Sequence, residues 1–254
     1  MAYYLDEEKL YQAMKNLTEF FRLDSFQGKT FLDIGSGSGL FSIAAQKLNA
    51  DKVTSVDLFT NLIKKCKEQY KFDTQWEIIE GSILDKNIIS QIQKHDLVYC
   101  WGVVHHTGKM WEAIENVSNL VKPKGRVYMG IYNESDNIGF YPDGRFGTSK
   151  QWRLIKKIYV NLPSFIQTLF EYYAILSISL IYLLTLNNPI KKLRSIETRG
   201  MNWRTSLKDW LIGYPYEFSP PENVVEFFVK KGFKLIKIRT NNGLLTNHYC
   251  FELS

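Results

Sequence analysis

Asp33, Gly35, Gly37 and Gly39 stand in the run FLDIGSGSGLFS, with Ser36 between the first two glycines, and Asp57 follows eighteen residues after Gly39. Glycines there let the backbone turn tightly and approach a ligand closely. A carboxylate at the end of the next strand can accept both hydroxyl protons of a ribose. A second set, His105 and His106 in CWGVVHHTG, offers imidazoles able to take a proton from an attacking hydroxyl. His106 is the favoured base of the two. A third set puts aromatic rings and charges at irregular spacing between Arg199 and Glu217. Aromatic faces suit a sugar ring, and Arg or Glu can fix its hydroxyls or a phosphate.

These residues need a frame. Short β-rich runs at Phe31–Ile34, Val53–Asp57, Trp76–Glu80, Leu97–Trp101 and Arg126–Tyr132 alternate with helical patterns, after an amphipathic helix carrying Leu10, Met14, Leu17 and Phe20. Such alternation predicts βαβ units, hence a mostly parallel sheet covered on both faces, with ligands at the carboxyl ends of its strands. Asn133–Ser149 reads as a loop and residues 150–212 as a helical insertion. Ser219, Pro220, Pro221 and Glu222 predict an N-cap and first turn for a helix that runs to Lys231 and is stopped by Gly232. Lys234–Arg239 and His248–Leu253, joined at Asn241–Gly243, close the fold as an antiparallel pair. The expected division is a core of residues 1–145 and 216–254 and an insertion, 146–215, serving as an acceptor lid.

Nicotinamide-binding loops space their glycines G-x-G-x-x-G and leave a helix N-terminus open to pyrophosphate. The spacing D-x-G-x-G-x-G differs, and the acid ahead of it disfavours a diphosphate and suits an ammonium group. A ligand with a ribose, an ammonium group and no phosphate describes S-adenosylmethionine. At this point the chain resembles the class I S-adenosylmethionine-dependent methyltransferases, motif by motif over residues 28–132 and more loosely over 219–253. The resemblance implies a Rossmann-like, mostly parallel seven-stranded α/β sheet with helices on both faces and a helical insertion before the last helix and strands. It implies that Asp33, Gly35, Ser36, Gly37 and Gly39 hold the methionine end. Asp57 and Leu58 would hold the ribose side, Ser82 and Ile83 the adenine, and Trp101 with Val103 the pocket wall.

The stretch around His105 also resembles the ubiquinone-pathway O-methyltransferases. Their Glu-x-x-Glu-His metal triad would fall on Gly102, His105 and His106, where both acids are missing. The expectation is therefore no metal and an acceptor other than a quinol. The run from Arg199 to Glu222 resembles the C-terminal signature of a bacterial methyltransferase group associated with surface-glycan and specialised biosynthesis. Acceptor-binding residues by this reading are Tyr132, Asn133, Tyr141, Arg145, Arg199, Trp203 and Glu217, with His248 a further inward candidate. Methylation of a hydroxyl on a sugar, glycan precursor or related small metabolite follows, against two alternatives: an RNA methyltransferase, or a cofactor-binding regulatory or scaffold protein without turnover.

Composition limits the partners. With 45% apolar and 23% charged residues the chain can bury a sizeable core. Residues 1–140 hold 16 Lys and Arg against 18 Asp and Glu, whereas 141–254 hold 16 against 8, so the second half meets any acidic, phosphate-bearing partner. No RNA-binding module is recognisable, and nucleic acid is not the expected partner. Three cysteines at no paired spacing predict a reduced, cytoplasmic setting, and the N-terminus lacks a secretion pattern. Phe165–Leu186 is apolar around Glu171, but its unbroken part, Ala174–Leu186, is thirteen residues, too short to span about 30 Å of hydrocarbon. The expectation is a soluble protein in which this segment forms a lid or homodimer contact, with peripheral contact to the inner membrane face and, last, a true span as the other outcomes. Lys156, Lys157, Lys191, Lys192 and Arg194 flank it as a candidate phosphate clamp.

Overall fold

Each strand divides its side chains between two cores, the period-two signature of a sheet buried on both faces. In this computed structural model, which describes residues 7–70, 75–137, 147–184, 188, 208 and 210–254, the strands are β1 Thr30–Ile34, β2 Lys52–Asp57, β3 Gln75–Glu80, β4 His95–Trp101, β5 Val121–Tyr132, β6 Phe233–Arg239 and β7 Thr246–Leu253. They form one sheet in the order β3-β2-β1-β4-β5-β7-β6. The first five run parallel; β7 is antiparallel to both neighbours.

Helices α1 Glu7–Phe21, α2 Leu40–Lys47 and α3 Asn61–Gln69 supply one core, where Leu17, Phe20, Phe21, Ile43 and Ile63 meet Phe31, Leu97, Tyr99 and Tyr128. The second core gathers Ile114, Val117, Val224 and Phe228 from α5 Met110–Asn119 and α8 Pro221–Lys230 against Leu32, Ile34, Val98 and Met129. The short α4, Lys86–Gln91, borders it. Each such buried side chain contributes about 1.5–3 kcal/mol before its ordering cost. Alternation along β1 places Asp33 on the α2 side, between the apolar Leu32 and Ile34 of the other face. Strand order reverses between β1 and β4, opening the crevice at their carboxyl ends that such sheets use for ligands.

The start of α8 differs from the sequence reading. The N-cap of α8 is Pro220, with no side-chain cap, and not Ser219. Ser219 is held at the carboxyl end of β5: its N–H donates to Tyr132 O at 3.1 Å, it bridges to Asn133, and its hydroxyl donates to Pro220 O.

The chain divides into two compact units, Met1–Asn133 with Phe218–Ser254, and Glu134–Glu217. The second unit is therefore inserted directly after β5, where the sequence reading set its limits at 146 and 215. It contains α6, Ser149–Val160, and α7, Ser164–Leu184. A capping box that the sequence reading did not use, Thr148 with Gln151, starts α6. Trp152, Lys156 and Tyr159 form its buried side. Lys156 is not a free phosphate clamp. Its ammonium lies 4.2 Å from the centre of the Trp210 ring and 4.4 Å from that of Tyr216, and it donates to Trp210 O.

The reach of α7 also exceeds the expected one. It is 21 residues long, or about 32 Å at 1.5 Å per residue, long and apolar enough by length and composition to cross a membrane. Several of its polar residues are satisfied where they stand: Gln167 donates to Tyr159 O and Leu162 O, Glu171 accepts from Tyr159 Oη, and Thr168 and Ser179 bond back one turn. Tyr141, Arg145, Arg199 and Trp203, with Lys191, Lys192 and Arg194, lie outside the described residues.

Candidate functional site

The glycine loop leaves β1 at the crevice and enters α2. Gly35, Gly37 and Gly39 have φ of +73°, +53° and +84°. At Gly35 a side chain is doubly excluded, since a Cβ would sit 2.1 Å from Val103 Cγ2 on the neighbouring loop. Gly37 instead faces open space, with nothing within 4 Å of a Cβ. The loop is pinned to the end of β2. Gly35 N and Ser36 N both donate to Val56 O, at 2.8 and 3.2 Å. Asp57 Oδ2 accepts from Gly37 N at 2.8 Å, and its Oδ1 accepts from Phe59 N at 2.9 Å. Each carboxylate oxygen keeps further acceptor capacity, so Asp57 can hold the loop and a ribose hydroxyl together.

Asp33, only 1% exposed, does not stand alone. Ser42 Oγ donates to Asp33 Oδ2 at 2.6 Å, lies 2.7 Å from Ser55 Oγ, and Trp76 Nε1 donates to Ser55 at 2.8 Å. Indole N–H can only donate, so one orientation satisfies the whole chain: Trp76 to Ser55, Ser55 to Ser42, Ser42 to Asp33. Every donor points at the carboxylate and favours its charged form. Burial outweighs this, and with help from the charge of Asp57 it pushes Asp33 up to about 7. An ammonium group is the counter-charge such a carboxyl lacks. Sequence reading missed Ser42, Ser55 and Trp76. The signal was available: two hydroxyls, Thr54 and Ser55, sit between apolar residues in a strand with both faces covered.

Ser36 Oγ is buried with no hydrogen-bond partner among the described residues. Together with the cradle at Gly37 and the carboxylates of Asp33 and Asp57, this orphan acceptor fits a polar, ribose-bearing, cationic ligand. Beside Asp57, Leu58, Phe59 and Leu62 are exposed apolar side chains, Phe59 to 79%. They offer surface to a flat ring. After β3, Ser82 Oγ accepts from Leu84 N, and the Ile83 side chain belongs to the core. Ile83 O accepts from Asn116 Nδ2. The adenine expectation at Ser82 and Ile83 therefore falls on backbone groups there. The acid of that loop, Asp85, caps α4 through Asn87 N at 2.8 Å. Glu80, which pairs with Asp57 across β2 and β3, accepts from Thr60 Oγ1 and binds Lys64, holding the start of α3.

The two histidines occupy a 3-10 turn, Val104–His106, directly beyond β4. His105 is buried, and its Nδ1 accepts from Tyr132 N at 3.3 Å while its ring lies 4.1 Å from that of Tyr132. That bond leaves Nε2 to carry the proton of the neutral ring. His105 thus ties the ends of β4 and β5 together. His106 is half-buried, its ring 4.5 Å from His105 and 5.5 Å from Tyr132.

Trp101 closes over β5, where a Cβ at Gly130 would meet its ring at 2.2 Å. Tyr132 is half-buried at the same strand end. Asn133, expected at the acceptor, commits its amide to the fold: Nδ2 donates to Asn241 O and Gly243 O, and Oδ1 accepts from Asn247 Nδ2. It anchors the β6–β7 turn. His248 bonds to Tyr128 Oη at 2.7 Å and stacks on Phe20. Glu217, half-buried, lies in the inserted unit.

Residues 32–127 match the family model described as a methyltransferase domain. The chain is 31% identical over 120 residues to a ubiquinone biosynthesis O-methyltransferase of Coxiella burnetii, an overlap of 46% of this chain and 49% of that protein. The match thus spans about half the length of that curated relative. Among solved structures it is similar to PKMT2 from Rickettsia typhi in complex with AdoHcy, with a TM-score of 0.61, 14% identity, and 94% of this chain and 52% of that one covered. An S-adenosylmethionine dependent methyltransferase from Mesorhizobium loti gives a TM-score of 0.53 at 12% identity, covering 96% and 97%.

Proposed function

From the Rossmann-like methyltransferase fold, whose cofactor is S-adenosylmethionine, we propose that this chain transfers a methyl group to a hydroxyl of a small acceptor, with a sugar or glycan precursor as the favoured class. The observation that carries the reading is that the glycine loop, Asp57 and the histidine turn all stand at the carboxyl ends of the neighbouring strands β1, β2 and β4. The glycine loop and Asp57 end β1 and β2, and the histidine turn begins where β4 ends. When bound, the cofactor supplies a methyl already activated on a sulfonium.

The chain's residues bind and position. Asp33 supplies negative charge for the ammonium, Asp57 accepts from the ribose, and Leu58 and Phe59 give apolar surface for the adenine. His106 Nδ1 or Nε2 takes the hydroxyl proton as the oxygen attacks. His105 keeps the turn in register with Tyr132. A sugar hydroxyl, far less acidic than a thiol or phenol, is the acceptor type that most needs such a base.

A second reading, a phenolic acceptor, is favoured by the name of the Coxiella burnetii relative. The two are separated by incubating the protein with methyl-labelled cofactor and, in parallel, a polysaccharide extract, sugar nucleotides and catechol-type phenols. Label in phenols alone would remove the sugar reading.

Cofactor identity has its own test. Calorimetry is expected to show S-adenosylhomocysteine binding, weakened by about 1–3 kcal/mol in Asp57→Ala through loss of charge-assisted hydrogen bonds. Asp57→Asn, which keeps one acceptor oxygen, should fall between. Binding of a nicotinamide dinucleotide instead would overturn the assignment.

A further inference from the structure

Helix α7 has two unlike sides. At 100° per residue Gln167, Phe170 and Glu171 share one side, and that side is turned onto α6, through Tyr159 in each case. About 180° away lie Phe165, Leu169, Tyr172, Leu176, Leu180 and Leu183, every one exposed, Leu176 to 69%. α6 continues the pattern. Its exposed Leu154 and Ile158, one turn apart, lie beside Arg153 and Lys157, also exposed and one turn apart.

The segment that carries this surface is cationic in sequence. Between residues 145 and 208 the chain carries eleven Lys and Arg and only two Asp and Glu, Glu171 and Glu197. Glu171 is buried and bound to Tyr159, with Lys208 3.7 Å away, so it presents no negative charge outward. Exposed leucines with tyrosines among them and cations on the neighbouring helix form the pattern of a helix lying in a membrane interface.

We propose that the α6–α7 hairpin docks flat on an anionic phospholipid surface, with the Leu169–Leu183 face in the acyl boundary and Arg153 and Lys157 at the headgroups. Length permits α7 to span a bilayer, but its first turns pack on α6, whose Arg153 and Lys157 would then have to enter hydrocarbon. A second copy of the chain is the weaker occupant, because docking two such faces brings two cationic surfaces together. The inference goes beyond the methyl-transfer reading and is independent of the acceptor.

The test uses the full chain and two extruded vesicle preparations, phosphatidylcholine alone and phosphatidylcholine with about 30% phosphatidylglycerol, in co-sedimentation. The wild-type protein is expected on the anionic vesicles, with binding reduced by added salt. Leu176→Glu with Leu180→Glu should lower partitioning by about 100-fold. Arg153→Glu with Lys157→Glu should remove the preference for phosphatidylglycerol. Because all four side chains are exposed, circular dichroism and the melting temperature should match wild type, which separates lost docking from lost folding. Equal sedimentation of wild type and the leucine variant would overturn the proposal. So would a failure of wild type to bind vesicles while light scattering shows a dimer that the leucine variant splits.

Discussion

His106→Ala is expected to lower kcat for a hydroxyl acceptor by about 10²- to 10⁴-fold while S-adenosylhomocysteine binds with nearly unchanged affinity. The structure separates the two histidines, which the sequence places side by side. His105 is buried and accepts from the Tyr132 N–H through Nδ1, so its removal takes away a buried acceptor at the end of β5. The cost of that is about 1–3 kcal/mol of stability. His105→Ala should therefore lower the melting temperature and reduce activity less steeply than His106→Ala. His105→Asn, whose amide oxygen can still accept from Tyr132, should recover part of both. The pH profile discriminates further: with His106 as base, kcat/KM rises with pH as the imidazole loses its proton, and the His106→Ala profile loses that limb. Full activity in both single variants and in the double would reduce the pair to structural residues.

Asp33→Asn is expected to stabilise the ligand-free protein and at the same time weaken cofactor binding. Burial raises the Asp33 carboxyl from 3.8 to about 7, against the Ser42 hydrogen bond and with the charge of Asp57 adding to it. Between those values the folded chain keeps a proton that the unfolded chain has released. Stability contributed by Asp33 is thus present in full below about pH 4 and is lost as pH rises through about 7. The asparagine removes that loss and still accepts from Ser42. Above pH 7 the variant should be more stable by up to roughly 4 kcal/mol, about three pKa units at 1.36 kcal/mol each. Binding responds with the opposite sign. A cationic ammonium group favours the charged carboxylate, so S-adenosylhomocysteine should bind more tightly as pH rises toward 7 and should release a proton on binding below it. Chemical denaturation across pH 5 to 9 gives the first half, and calorimetry in two buffers of different ionisation enthalpy gives the second. An affinity that is flat with pH and unchanged in Asp33→Asn would remove Asp33 from the ammonium site.

Much of this site is legible along the chain because its determinants are local. Three glycines with positive φ must sit together where backbone turns from β1 into α2, and an acid at the end of β2 accepts directly from the loop it serves. The near-continuous burial of β1, β4 and the second half of β5 and the apolar stripe of α1 likewise follow from residue types within a few positions, so these elements can be read directly. Tertiary structure decided what depends on residues far apart in sequence. It placed β7 between β5 and β6, turned Asn133 toward a turn more than a hundred residues away, and bonded Ser219 to Tyr132 in place of capping α8. It also completed the Trp76–Ser55–Ser42 chain behind Asp33 and enclosed Lys156 in two aromatic rings. The physical reason is the same throughout: backbone conformation and amphipathic period are set by short-range sterics and side-chain type. A buried polar group instead takes whichever partner the packed fold brings within about 3 Å, and that choice is made only when distant strands close on one another.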